Sequence, residues 1–190
     1  LNIGEYKNRD QYLAESVAQV DRLAAMVNDV LRSGNVAEQA LRQEKRLRID
    51  KLITEVVDDY RLLAKTRGMT FEVNTEPKAI RANRGMMRHV ISNLVSNAVC
   101  HGDAGSVIKI TCDRHELAIE NACKPLTKQQ LQHVFDPFYR NNATTKQHTD
   151  SSGIGLYTVK MLLDAKGLDY EFTPVKHGVR FTVEFTVNAD

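Results

Sequence analysis

The sequence predicts an α+β fold: a two-layer sandwich of a mixed sheet with helices on one face, preceded by one long helix. Three observations predict it. Apolar residues recur at helical spacing in some segments and at every second residue in others. The two kinds of segment arrive in mixed order, with strand-like runs mostly close enough to pair as hairpins. The opening segment carries a narrow apolar seam that nothing in the following stretch can cover.

That opening helix spans roughly Arg9 to Arg32. Leu13, Val17, Val20, Ala24, Val27 and Leu31 step alternately by four and three, which is a heptad seam. Ser33-Gly34-Asn35 stops it, with Gly34 suited to a left-handed cap. The next stretch, Glu38 to Arg46, is polar, so the seam implies a bundle with another helix or another copy of the chain. Packing back onto the following domain is the simpler alternative. The shift in composition near Arg46 divides the chain into 1–45 and 46–190.

Arg48-Ile49 reads as a short strand, and Asp50 as the cap of a helix with Leu52, Ile53, Val56, Val57, Tyr60, Leu63 and Ala64 on one face, ended by Gly68. Met69 to Val73 alternates as a strand does, and Ala79 to Ala82 is a candidate strand. Gly85 to His101 is a strong helix, with Met86, Val90, Leu94, Val95 and Ala98 toward a core. Ser106 to Cys112 and Glu116 to Glu120 form a hairpin pair, and Lys128 to Val134 a short helix. Asn141 to Ser152 is polar throughout and reads as a mobile loop. A last helix, Ile154 to Ala165, precedes strands at Asp169 to Thr173 and Val179 to Val187.

Composition narrows the function. The 190 residues, 42% hydrophobic and 26% charged, suffice for one buried domain and an appendage. A net charge of +2 argues against a general nucleic-acid binder, which needs a strongly basic face. Cys100, Cys112 and Cys123 are odd in number and lack metal-ligand spacing, so they read as reduced core residues. No apolar run is long enough to span a membrane, and the chain starts at Leu1 without a signal segment, as an excised fragment would.

Four local features carry the chemistry. Asn93 and Asn97, four apart, share one helix face, and a neutral amide oxygen is a fair ligand for Mg2+ when phosphates supply the rest. Asn121, at a strand end, can accept from the exocyclic amine of adenine. In Phe135-Asp136-Pro137-Phe138-Tyr139-Arg140 the phenylalanines can anchor a loop while Arg140 reaches phosphate. Gly153-Ile154-Gly155-Leu156 opens a helix, where backbone N–H groups can meet phosphate. Each alone also suits a hydrated surface, a plain turn or an aromatic anchor; their order together is much more specific.

That order resembles the histidine-kinase ATP-binding domain, a group shared with type II topoisomerases, Hsp90 chaperones and mismatch-repair ATPases, over about residues 48–188. The resemblance implies a Bergerat-type fold with ATP under a flexible lid. It implies Asn97 as the Mg2+ ligand, Asn93 as its N-box companion, Phe135, Phe138, Tyr139 and Arg140 as the F box, and Gly153, Ile154, Gly155 and Leu156 as the glycine box. His101 would stack on adenine, and Lys146 in the lid would join the cofactor site. The opening helix resembles the second helix of the dimerisation and phosphotransfer hairpin. Gly155 to Met161 and the F box are similar to Gram-positive sensor kinases that respond to cell-wall antibiotics.

The implied activity, with Asn93, Asn97 and Arg140 as catalytic residues, is phosphoryl transfer from ATP to a histidine and on to an aspartate of a response regulator. The histidines of the chain begin at His89, after the opening helix, so the acceptor is expected upstream. Partners implied are a response regulator and the chain's own phosphotransfer helix or a second protomer. A membrane anchor would lie only in a missing N-terminal region, with this part cytoplasmic.

The chain departs from the family pattern in three places. Asn121-Ala122-Cys123-Lys124-Pro125 replaces an Asp-x-Gly-x-Gly run, Cys100-His101 stands where Lys-Tyr is frequent, and Asp150-Ser151 replaces two glycines. Weak ATP binding is the expectation. A degenerate nucleotide-binding regulatory module is the alternative reading. A superfamily ATPase would need a glutamate base at the position of Asn93.

Overall fold

The computed structural model describes residues 44–139 and 153–185. The opening helix, Arg140, Lys146 and the polar stretch from Asn141 to Ser152 lie outside the described residues.

The described elements are β1 (Lys45–Arg48), α1 (Ile49–Thr66), β2 (Thr70–Thr75), β3 (Ala79–Ala82), α2 (Arg84–His101), β4 (Val107–Cys112), β5 (Glu116–Ala122), α3 (Lys128–His133), α4 (Gly155–Lys166), β6 (Tyr170–Val175) and β7 (Gly178–Glu184). A five-stranded sheet runs in the order β2-β4-β5-β7-β6. Only β2 and β4 pair in parallel; the other neighbours are antiparallel. β1 and β3 form a separate antiparallel ribbon. Pro174 sits in β6, at the sheet edge, where a missing N–H costs no ladder bond.

Side-chain alternation places the layers. Along β4, Ile108, Ile110 and Cys112 are buried while Val107, Lys109 and Thr111 are exposed. Leu117 and Ile119 of β5 and Phe181 and Val183 of β7 join them in one core with the helices. The opposite face is polar: Glu72, Lys109, Glu120 and Arg180 follow one another across the strands, alternating in sign. A sheet with one apolar face needs one helical layer, and α1, α2 and α4 supply it.

Helix α2 lies between α1 and α4 and over β5. Its buried residues are therefore paired on each turn: Met86 and Met87, Val90 and Ile91, Leu94 and Val95, Ala98 and Val99. Asn83 caps it, accepting from the Met86 amide at 3.1 Å. At its other end the Arg67 guanidinium donates to the carbonyls of Val99 and Gly102. The hydroxyls of Tyr60 and Ser92 meet at 2.8 Å between α1 and α2.

One expected cap is corrected. Asp50 does not cap α1: the helix starts at Ile49, after Arg48, with no side-chain cap. Ile49 is fully buried and donates its amide to the Lys78 carbonyl at 3.0 Å, which pins the junction one residue early. Asp50 instead receives both arms of the Arg48 guanidinium, at 2.8 and 2.6 Å. Gly68 does end this region as the sequence predicts, at φ 67.

Candidate functional site

Helix α2 leaves one stripe that neither neighbour fully covers. Asn93 and Asn97 are half-buried on it and His101 is exposed. The spacing of four repeats twice, so the three side chains run along one face over about 12 Å. Only residues flanked by core pairs can sit this way: Leu94, Val95, Ala98 and Val99 hold the opposite side of each turn.

At the Asn93 end stands the first turn of α4. An ideal Cβ on Gly155 would lie 3.3 Å from Asn93 Oδ1, so the glycine is what lets the amide approach the helix start. No side chain caps α4, which begins after Ile154. The N–H groups that open a helix lie outside its internal ladder and carry the positive end of its dipole. Ile154 is fully buried, so it anchors the turn in the core and offers only backbone to a ligand. Leu156 is partly buried against the same core. Gly153 has φ 72, and a Cβ there would meet Phe138 and Tyr139 backbone at 3.0 Å. Gly153 is thus required by its backbone conformation and by close backbone, whereas Gly155 leaves room only for the end of the Asn93 side chain.

At the His101 end lies Asn121, on β5 opposite Val179 and 7% exposed. Its amide nitrogen donates to the Ala122 carbonyl at 3.3 Å, which leaves the carboxamide oxygen as the acceptor on offer. Gly102, just after α2, is packed against it: a Cβ there would be 3.4 Å from Asn121 Nδ2 and 2.6 Å from the Ala98 carbonyl. The turn that lacks the family's glycines is held by backbone bonds from Asp103 N to Ala122 O (2.8 Å) and Cys123 N to His177 O (3.2 Å). Burial pushes the Cys123 thiol up, with Asp103 adding to it.

The aromatic loop returns to the glycine end. Phe135 is seated edge-on against Tyr170, Phe172 and Phe181, at 5.5, 6.4 and 6.2 Å between centroids. Asp136 accepts from the His133 ring at 2.6 Å. Phe138 is 55% exposed and has φ 66, in the left-handed region that a bulky residue enters only when its neighbours impose it. The neighbour is Gly153, whose carbonyl accepts the Phe138 amide at 3.0 Å. Tyr139 is half-buried beside it.

Asn93, Gly153, Gly155, Phe138 and Tyr139 are therefore brought together, with Asn97 and His101 following along the same helix and Asn121 of β5 at its far end. Sequence reasoning missed Gly102, Gly178 and the aromatic seat of Phe135, because each depends on a partner far away in the chain. Among the described residues no group of three or more His, Cys, Asp or Glu is placed to hold a metal. Carboxamide oxygens fit a hard cation only where a ligand brings further oxygens, as a polyphosphate does.

The histidine kinase-, DNA gyrase B- and HSP90-like ATPase family matches residues 82–189. The sensor histidine protein kinase HK06 of Streptococcus pneumoniae is 32% identical over 183 residues, 96% of this chain and 41% of that protein. Among solved structures, full-length ShkA in complex with AMPPNP superposes with a TM-score of 0.71 at 21% identity, covering 96% of this chain and 40% of that one. The histidine kinase ThkA in complex with the response regulator TrrA gives 0.68 at 20% identity, covering 96% and 52%. The chain spans about two fifths of the length of the curated relatives it matches.

Proposed function

Since the chain belongs to the histidine kinase-, DNA gyrase B- and HSP90-like ATPase family, we propose that it is the ATP-binding catalytic part of a two-component sensor histidine kinase. The observation that carries the reading is the approach of the Asn93 amide to Gly155 at the uncapped start of α4. That approach supports a cleft with oxygen ligands on one wall and backbone donors on the other. The name of HK06 and the AMPPNP bound by ShkA point the same way.

In this reading the triphosphate lies across the first turn of α4, held by the amides of Gly153 to Leu156 and by Arg140 and Lys146. Asn97 binds Mg2+ and Asn93 supports it; the ion supplies charge neutralisation for the phosphates. Adenine sits toward Asn121, whose oxygen accepts from the exocyclic amine, with His101 against its face. Phe138 and Tyr139 cover the phosphate end. The γ-phosphoryl passes to an imidazole nitrogen of a histidine on a phosphotransfer helix as its bond to the ADP oxygen breaks, and ADP leaves. The phosphohistidine then gives the group to an aspartate of a response regulator, the kind of partner that ThkA has in its complex. Residues 1–45 are the second helix of the phosphotransfer hairpin and a linker, and 46–190 the catalytic domain. Dimerisation through that hairpin and a membrane-anchored parent, with this domain in the cytoplasm, complete the proposal. Asn93 has no basic group, which disfavours an ATPase that activates water at this position.

Calorimetric titration with AMPPNP and Mg2+ tests the site. Saturable binding strengthened by the metal is expected; no heat at millimolar ligand would overturn the reading.

A further inference from the structure

Helix α4 carries a second polar device on a later turn. Lys160 Nζ donates to Asp164 Oδ2 at 2.9 Å and to Tyr170 Oη at 3.1 Å. The Tyr170 hydroxyl in turn donates to Asp164 Oδ1 at 2.9 Å, which closes the triangle. The ammonium also stands 5.8 Å from the centre of the Tyr170 ring. The bonds to Asp164 and Tyr170 hold the Lys160 amine well above its ordinary range, and the bond from Lys160 holds the Asp164 carboxyl below its own. Both partners stay charged at neutral pH.

Lys160 and Asp164 are 43% and 50% exposed, and an ion pair so placed adds little to global stability. What the triangle does fix is a ring. Tyr170 is stacked with Phe181 at an interplanar angle of 2°, and it packs T-shaped with Phe135 at 71°. Three residues after Phe135, the Phe138 amide is bonded to Gly153, two residues before the start of the glycine turn against Asn93. One helix therefore begins at the proposed phosphate site and, farther along, clasps the wall against which the aromatic loop is seated.

We propose that Lys160 and Asp164 are positioning residues: by locking Tyr170 they set where Phe135 to Tyr139 lies relative to Gly153 and Gly155. The inference rests on the proposed nucleotide site, because it assigns the clasp a role in that site's geometry.

The test uses the full chain and the variants K160M, D164N, Y170F and K160R. Amide exchange at Phe138 reports the loop, AMPPNP titration with Mg2+ reports the site, and thermal unfolding reports the fold. K160M and Y170F are expected to quicken exchange at Phe138 and weaken AMPPNP by about fivefold each, the ceiling for an exposed pair. The melting temperature should be unchanged, and K160R should restore both readouts. Unchanged exchange and affinity in K160M would overturn the inference, as would acceleration spread evenly over the whole core. A wild-type chain that binds no AMPPNP would overturn the nucleotide reading and the clasp's role in it, whereas normal wild-type binding with an indifferent K160M defeats the clasp alone.

Discussion

The carboxamide oxygen of Asn93 stands 3.3 Å from where a Cβ on Gly155 would lie. A methyl group at 155 must therefore push the amide aside by a few tenths of an ångström. The fold can absorb this, because the obstructing atom ends a side chain. Alanine also suits a helix better than glycine, by up to about 1 kcal/mol. G155A is expected to keep or raise the melting temperature while weakening AMPPNP by about tenfold, about 1.4 kcal/mol. Calorimetry and thermal unfolding on the same sample check it; a variant that binds as the wild type does removes the phosphate contact from this turn.

Asn97 lies one turn farther along α2 and is half-buried. Its proposed task is to hold the metal, so its loss should appear as lost metal dependence. N97A is expected to bind nucleotide about equally with and without Mg2+, whereas the wild type gains at least about tenfold from the ion. Paired titrations in Mg2+ and in EDTA measure the difference. An undiminished gain from the metal in N97A would assign the ligand elsewhere.

Most of this fold was legible in the sequence because most of its signals are local. The Met86 to Ala98 stripe, the alternation of Ile108, Ile110 and Cys112, and the stop at Gly68 each lie within a few residues of what they determine. Of the site, Asn93, Asn97, Gly153 and Gly155 could be named from their order alone. Asp50 was misread as a cap because the pull of Lys78 on Ile49 comes from β3's approach, not from the local sequence. Gly178 carried no local signal either: its need for hydrogen in place of Cβ comes from the Asn121 and Ala122 backbone across the sheet, and at Gly102 the side chains of Met69 and Asn121 add distant crowding to the Ala98 carbonyl one turn back. The seat of Phe135 is built from β6 and β7, at Tyr170 and Phe181, well beyond the reach of any local pattern.

Gly178 faces backbone where Gly155 faces a side chain, and the consequence should differ accordingly. A Cβ at 178 would fall 2.0 Å from the Asn121 carbonyl oxygen and 2.9 Å from Ala122 Cα. Neither atom can yield without parting β5 from β7. G178A is expected to lose about 3 kcal/mol of stability, at the upper end for overpacking. Urea unfolding measures it. Because the displaced atoms belong to Asn121 and its neighbour, nucleotide affinity should fall as well. A variant as stable as the wild type would mean that the β6–β7 turn is far more yielding than its pairing indicates.

Acid should loosen the molecule through identifiable carboxylates. The bond from Arg48 holds Asp50 below the usual carboxylate range. Asp113 is held down by the backbone N–H groups of Glu116 and His115, at 2.9 and 2.7 Å. In the unfolded chain both return to about the model-peptide value near 3.8. The unfolded state then binds more protons as pH falls, so their contribution is fully present above that value and is lost on descending through the lower folded values. The urea midpoint should hardly change from pH 7 to 5 on account of these groups and should drop below about pH 4. D50N removes one titrating group, so its midpoint should start lower at pH 7 and fall less steeply in acid. A D50N curve parallel to the wild type throughout would show that Arg48 and Asp50 are paired no more strongly in the folded chain than in the unfolded one.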